Sequence, residues 1–190
     1  MPRVVRKQKP PALTNYRKYK PYLRLDFDRR CAYCQIPESR YGPPGNYTVD
    51  HFRPKSRAEF RRLLCVYANL FYACRDCNLY KGATWPGEDD RRLGRHFLNP
   101  CQVDLSKHWT VDKYGRTIPL SNAAEYMIEE LRLNRPELVE FRIRRGSQWL
   151  RIQRLELMLS ELPRATFARL EGQKLLDAWK RELAEGFGGK

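Results

Sequence analysis

Two Cys-x-x-Cys pairs, Cys31/Cys34 and Cys74/Cys77, constrain what this chain can fold into more than any other feature of it. Thiolate sulfur is a soft ligand, and four thiolates satisfy tetrahedral zinc. A two-residue gap lets both sulfurs of a pair reach the same ion. A chain that uses all four must therefore bring two segments distant in sequence against each other, and the metal can stand in for part of an apolar core. The alternative use of Cys-x-x-Cys, a redox motif, goes with a strand–helix–strand pattern of the thioredoxin kind. That pattern is missing here, so the pairs are read as a structural Zn²⁺ site.

Around the pairs the chain divides into three parts. Residues 1–28 carry Arg3, Arg6, Lys7, Lys9, Arg17, Lys18, Lys20 and Arg24, and Pro2, Pro10, Pro11 and Pro21 keep the stretch to Arg24 extended or irregular. This segment is either a basic arm laid along phosphates or a solvated tail; composition does not separate the two. Residues 29–119 hold the cysteines. Here Tyr47–Asp50 and Leu70–Ala73 have strand character, the stretch between Tyr41 and Asn46 is a loop by composition, and Arg75–Lys81 reads as a short helix stopped by Gly82. Tyr114-Gly115-Arg116 suggests a hairpin turn. Residues 120–190 are helical: Ser121 or Asn122 caps a first helix, Pro136 opens a second, with Gly146 as a possible bend, and Pro163 opens a third. Leu138, Phe141, Trp149, Ile152, Leu155, Leu159 and Leu162 form one apolar stripe, and Ala168, Leu175, Trp179 and Leu183 another. The stripes bury against each other and the metal-binding core, or they offer a docking surface. The expected class is α+β.

Charge narrows the partners. The 190 residues carry a formal net charge of +15, which favours a polyanion, with nucleic acid ahead of an anionic membrane surface. No stretch approaches the roughly twenty apolar residues of a membrane span. The first twenty or so residues lack the apolar run of a secretory signal. A reducing cytoplasm is the expected compartment, consistent with metal-binding rather than disulfide cysteines.

The segment between the pairs also offers hydrolytic chemistry. Breaking a phosphodiester requires a base for water and a cation for the charge developing on the phosphoryl group and leaving 3′-oxygen. A neutral imidazole suits the first task, and a hard cation with oxygen ligands suits the second. Asp50 and His51 end a strand, and Asn78 follows Cys77 on the short helix. Neighbours on an extended strand point to opposite faces, so Asp50 and His51 need a local bend to serve one site.

Val49-Asp50-His51-Phe52-Arg53-Pro54-Lys55-Ser56, Asn69-Leu70, Ala73-Cys74-Arg75-Asp76-Cys77-Asn78 and Lys81-Gly82 together resemble the HNH endonucleases of the ββα-metal superfamily, in the branch with two Cys-x-x-Cys pairs. The resemblance runs from Cys31 to about Trp85. It implies a zinc-stabilised ββα-metal core within residues 29–119, flanked by the basic arm and the helical region. It further implies His51 as general base, Asp50 and Asn78 as ligands of a catalytic Mg²⁺ or Mn²⁺, and Asn69 as the brace that orients His51. Asn78 stands where a His completes the signature in other members. Arg53, Lys55, Arg57, Arg61, Arg62 and Lys81 are the phosphate-contact candidates, and duplex DNA is the substrate implied. Phe97-Leu98-Asn99-Pro100 and the run from Leu131 to Leu138 are similar to bacterial HNH proteins of anti-phage defence. Some of those act with an ATPase partner, for which the C-terminal helices would be the docking surface. The competing reading is a non-catalytic zinc module that binds nucleic acid or scaffolds a complex.

Overall fold

The computed structural model describes residues 3–163 and 166–185; residues 1–2, 164–165 and 186–190, the ends of the basic segment and of the helical region among them, lie outside it. In chain order the elements are α1 (Lys20–Asp26), α2 (Glu38–Tyr41), β1 (Tyr47–His51), β2 (Leu70–Cys74), α3 (Arg75–Lys81), α4 (Glu88–Arg92), β3 (Trp109–Val111), β4 (Thr117–Pro119), α5 (Asn122–Glu130), α6 (Pro136–Glu161) and α7 (Phe167–Glu185), with short 3-10 turns between them. This is a mixed α+β chain with two small antiparallel sheets.

β1 and β2 pair in the register Tyr47↔Cys74 through His51↔Leu70. All five residues of β2 are buried, so both of its faces are covered, and the run Leu-Phe-Tyr-Ala-Cys fits such a place. α3 starts without a connecting loop: Cys74 is still extended, at φ −65° and ψ 154°, and serves as its N-cap. Gly82 ends α3 at φ +48°, its N–H closing on the Asn78 carbonyl. The result is strand, long connection, strand, helix.

The N-terminal segment is not a free arm. The Val4 N–H donates to the Pro100 carbonyl at 2.8 Å, and those of Lys7 and Gln8 to Asp26 Oδ1. The Arg6 guanidinium lies 4.8 Å over the Tyr67 ring and donates to the Leu70 carbonyl at 2.7 Å. Tyr19, Leu23 and Phe27 belong to the same apolar core as β2. The sequence showed the charge of this segment but not its tyrosine and leucine face, because the prolines mask any periodicity before residue 16.

The C-terminal region adds two layers. Ser121 caps α5, its Oγ accepting from the Ala124 N–H. α6 runs unbroken through Gly146, without the bend anticipated there. Its first turns bury Leu138 and Phe141 in the main core. Its last turns pair with α7 around a separate apolar cluster of Ile152, Leu159 and Leu176. Gly172 permits the close approach of the two helices, since a Cβ there would lie 2.4 Å from Leu159 Cδ2. α7 begins at Phe167 rather than Pro163. It turns Leu176, Trp179 and Leu183 toward that cluster, while Leu175 and Ala168 are exposed. Among the described residues no helix is long and apolar enough to cross a membrane.

The β3–β4 hairpin turns at Gly115, whose φ of +76° is a left-handed conformation. A Cβ there would also meet the Val139 carbonyl oxygen at 2.6 Å and Ile143 Cγ1 at 2.8 Å. Gly115→Ala is therefore expected to destabilise the chain by about 1–3 kcal/mol, from backbone strain and overpacking against α6. A urea titration checks this, and an unchanged midpoint would count against the hairpin's seat on α6.

Candidate metal centre and the adjoining groove

The four predicted cysteines converge. Their sulfurs all lie within 4.8 Å of one another, and Cys31, Cys74 and Cys77 are completely buried. A tetrahedron with Zn–S bonds of about 2.3 Å has sulfurs about 3.8 Å apart; Cys34 Sγ and Cys74 Sγ are 3.7 Å apart. Cys31 and Cys34 come from the turn after α1, Cys74 from the end of β2 and Cys77 from the first turn of α3. The donor set fits a structural zinc ion. Among the described residues no other group of three or more His, Cys, Asp or Glu side chains gathers in this way.

The thiols also shift one another's acidity. Burial works to raise the Cys31 thiol, yet hydrogen bonds from Cys34, Cys74 and Cys77 bring it well below the ordinary range. Those same bonds to Cys31 and Cys34 push Cys74 and Cys77 well up. A divalent ion held by all four sulfurs would displace thiol protons.

A fifth residue belongs to this centre. Arg135, only 9% exposed, points its guanidinium at Cys77 Sγ (3.7 Å), Cys74 Sγ (3.9 Å) and Cys34 Sγ (4.0 Å). Burial opposes its charge, but the sulfurs of Cys77 and Cys34 outweigh that and lift its pKa above the usual value. Four thiolates around a divalent ion leave a surplus of negative charge, which this cation offsets. Arg135 precedes the helix-opening Pro136, and no sequence signal distinguishes it from other arginines at helix starts.

Beneath the β1–β2 ribbon sits a buried ionic pair. Lys81 has no exposed surface; its Nζ is 3.2 and 3.3 Å from the two Asp50 carboxylate oxygens and donates to the His51 carbonyl at 2.7 Å. The Tyr33 hydroxyl donates to Asp50 Oδ2. Lys81 is thus removed from the candidate phosphate contacts, because an ammonium enclosed by the protein and engaged with Asp50 cannot reach a substrate backbone. Its position was legible: on α3 it lies four residues after Cys77 and so shares the buried face. Tyr33 is fixed between the two cysteines of the first pair.

His51 takes a different partner. Its Nε2 is 2.9 Å from the Leu64 carbonyl, and its ring meets Tyr16 edge-on at 4.6 Å. A carbonyl only accepts, so Nε2 carries the proton and Nδ1 presents the lone pair. Burial holds the imidazole below its ordinary pKa, with the Leu64 carbonyl and Asp50 acting the other way, so it is neutral at pH 7. Asn69, buried at the end of a 3-10 turn, accepts from the Arg53 N–H at 2.9 Å and donates to the Arg53 carbonyl at 3.2 Å. These two bonds pin the chain just after His51.

A groove of about 570 Å³ collects His51, Asp50 and Asn78 with Tyr16, Arg17, Lys20 and Lys55. Asn78 is half-buried on α3. Of the remaining candidate contacts, Arg53, Arg61 and Arg62 are exposed, and Arg57 is partly buried and tied to the Trp85 carbonyl at 3.1 Å. Lys55 donates to the Tyr16 hydroxyl at 2.7 Å, which carries the N-terminal segment over the mouth of the groove.

No protein-family model, no curated protein and no solved structure matches this chain.

Proposed function

We propose that the chain is a metal-dependent HNH endonuclease that hydrolyses DNA phosphodiester bonds. The observation that carries this reading is the shared groove: a neutral, oriented His51 faces the same space as Asn78, under a rim of cations, beside a four-cysteine centre. His51 Nδ1 takes the proton of the attacking water, and its Nε2–H stays anchored on the Leu64 carbonyl. Asn69 keeps His51 in place through the Arg53 backbone. Exposed Arg53, Arg61 and Arg62, with Lys55, neutralise phosphates beside the cut without reading sequence. Asn78 and Asp50 would hold a Mg²⁺ or Mn²⁺ ion, which supplies charge neutralisation at the phosphoryl oxygens and the leaving 3′-oxygen. Arg135 and the four cysteines do no chemistry; they fix where α3, and hence Asn78, begins.

One observation favours a second reading, a zinc module that binds nucleic acid without cutting it. The Asp50 carboxylate is already engaged by Lys81 and Tyr33, which leaves it less open to a cation than Asn78.

Supercoiled plasmid separates the two. Wild type with Mg²⁺ or Mn²⁺ is expected to relax or linearise it, EDTA to stop this, and His51→Ala to slow it by about 10²–10⁴-fold, the usual worth of a general base. Cleavage that survives His51→Ala would sink the mechanism. Binding without cleavage under either metal would favour the second reading.

A further inference from the structure

A second cavity, of about 640 Å³, lies between the N-terminal segment, the β3–β4 hairpin and α6, and shares no residue with the His51 groove. Its size is that of a small-molecule site. Arg30, Arg142 and Arg145 line it, and Arg3 and Lys7 stand at the N-terminal side. Two carboxylates face these five cations. Asp26 is already satisfied by the Lys7 and Gln8 N–H groups and the Tyr67 hydroxyl. Asp28 lies 3.9 Å from Lys7, both exposed. Among the described residues no carboxylate lies within ion-pair distance of Arg30, Arg142 or Arg145.

Two of these arginines are held in advance of any ligand. Arg142 donates to the Gly115 and Leu133 carbonyls, which fixes its fork at the cavity wall. Arg30 donates one Nη to the Ala184 carbonyl, and its other Nη is buried with no hydrogen-bond partner. A buried donor left unmade is costly, more so when it is charged. Burial depresses both guanidiniums, Arg142 to about 10, and the Arg145 charge adds to the effect on Arg30. The site lacks a negative charge that the protein does not supply. Half-buried Trp109 gives it an aromatic wall, beside the core residues Phe27 and Phe141.

We propose that this cavity binds a nucleotide through its phosphate: the arginines take the phosphomonoester dianion, and the Trp109 indole takes the base. Planar guanidiniums match phosphate oxygens in pairs, and base–aromatic stacking tolerates any base. The phosphate belongs either to a free nucleotide or to the 5′ end of a DNA strand.

Calorimetric titration of the full-length protein tests this, with adenosine, 5′-AMP, ATP, and one short oligonucleotide in 5′-phosphorylated and 5′-hydroxyl forms. Saturable binding of 5′-AMP or ATP, absent with adenosine, supports the proposal and assigns a free nucleotide. Preference for the phosphorylated oligonucleotide, with no binding of 5′-AMP or ATP, supports it and assigns a strand end. Arg145→Gln, at a helical surface position that should fold normally, is expected to weaken the bound form about 10- to 100-fold, the worth of one charge-assisted contact. His51→Ala should leave this affinity unchanged, so the outcome is independent of whether the chain cuts DNA. Binding of none of the phosphorylated ligands overturns the proposal, as does equal binding of the phosphate-free ones or an unaltered affinity in both Arg145→Gln and Arg30→Gln.

Discussion

Replacing Cys74 with Ser, or stripping the protein with a strong chelator, is expected to unfold the β1–β2–α3 unit outright. Structural zinc contributes on the order of 10 kcal/mol of apparent folding free energy in small zinc domains, more than a typical domain's margin of about 5–15 kcal/mol can readily lose. The consequence spreads beyond the cysteines here because of what they join. Cys74 ends β2, Cys77 begins α3, Cys31 and Cys34 follow α1, and Arg135 brings in the start of α6. Without the ion, three or more buried thiols and one buried guanidinium face one another with no charge to balance them. Purified wild type should contain about one zinc per chain. Chelator should remove the cooperative melting transition, and circular dichroism should show loss of the native fold while the α6–α7 pair retains part of its helix signal. A melting curve identical with and without chelator, on protein shown to be zinc-free, would rule out the structural role.

How much of this was readable in the sequence depends on whether local pattern or tertiary context sets each residue. The strands, α3 and its Gly82 stop, the hairpin at Gly115 and the start of α6 at Pro136 follow from local signals, and each is where turn chemistry or periodicity puts it. The four cysteines were legible because a metal demands fixed residue types at fixed spacing. Arg135 and Tyr16 were not. Each reaches its partner from a distant segment, and an arginine or tyrosine carries no mark of what it will face after folding. The N-terminal segment failed for the converse reason: its prolines and charges are a strong local signal for an irregular arm. Yet Tyr19, Leu23 and Phe27 dock on β2 and override it. On α7, Trp179 and Leu183 pack on the second cluster as the stripe predicts, whereas Leu176 is buried there in place of Leu175.

Lys81→Met is expected to destabilise the fold by about 3–5 kcal/mol, the cost of leaving one partner of a buried ion pair without the other. Asp50 is 4% exposed, and after the substitution only the Tyr33 hydroxyl would face it. Methionine fills nearly the same volume, so lost packing contributes little. The double variant Lys81→Met with Asp50→Asn should recover most of that stability, since it removes both charges and keeps a hydrogen-bond partner for Tyr33. Activity should not follow stability. Lys81 also holds the His51 carbonyl at 2.7 Å, at the point where β1 ends and the chain turns away. Losing that bond loosens the backbone that aims the imidazole, and a displacement of about 1 Å at a reacting group can cost on the order of 10²-fold in rate. Plasmid cleavage should therefore stay depressed in the double variant at a temperature where both it and wild type are folded, for two reasons: the His51 carbonyl has lost Lys81, and Asp50→Asn removes a carboxylate from the proposed cation site. A single variant that melts within about 1 kcal/mol of wild type would show that Asp50 finds its counter-charge elsewhere, and the most direct candidate would then be a metal ion shared with Asn78.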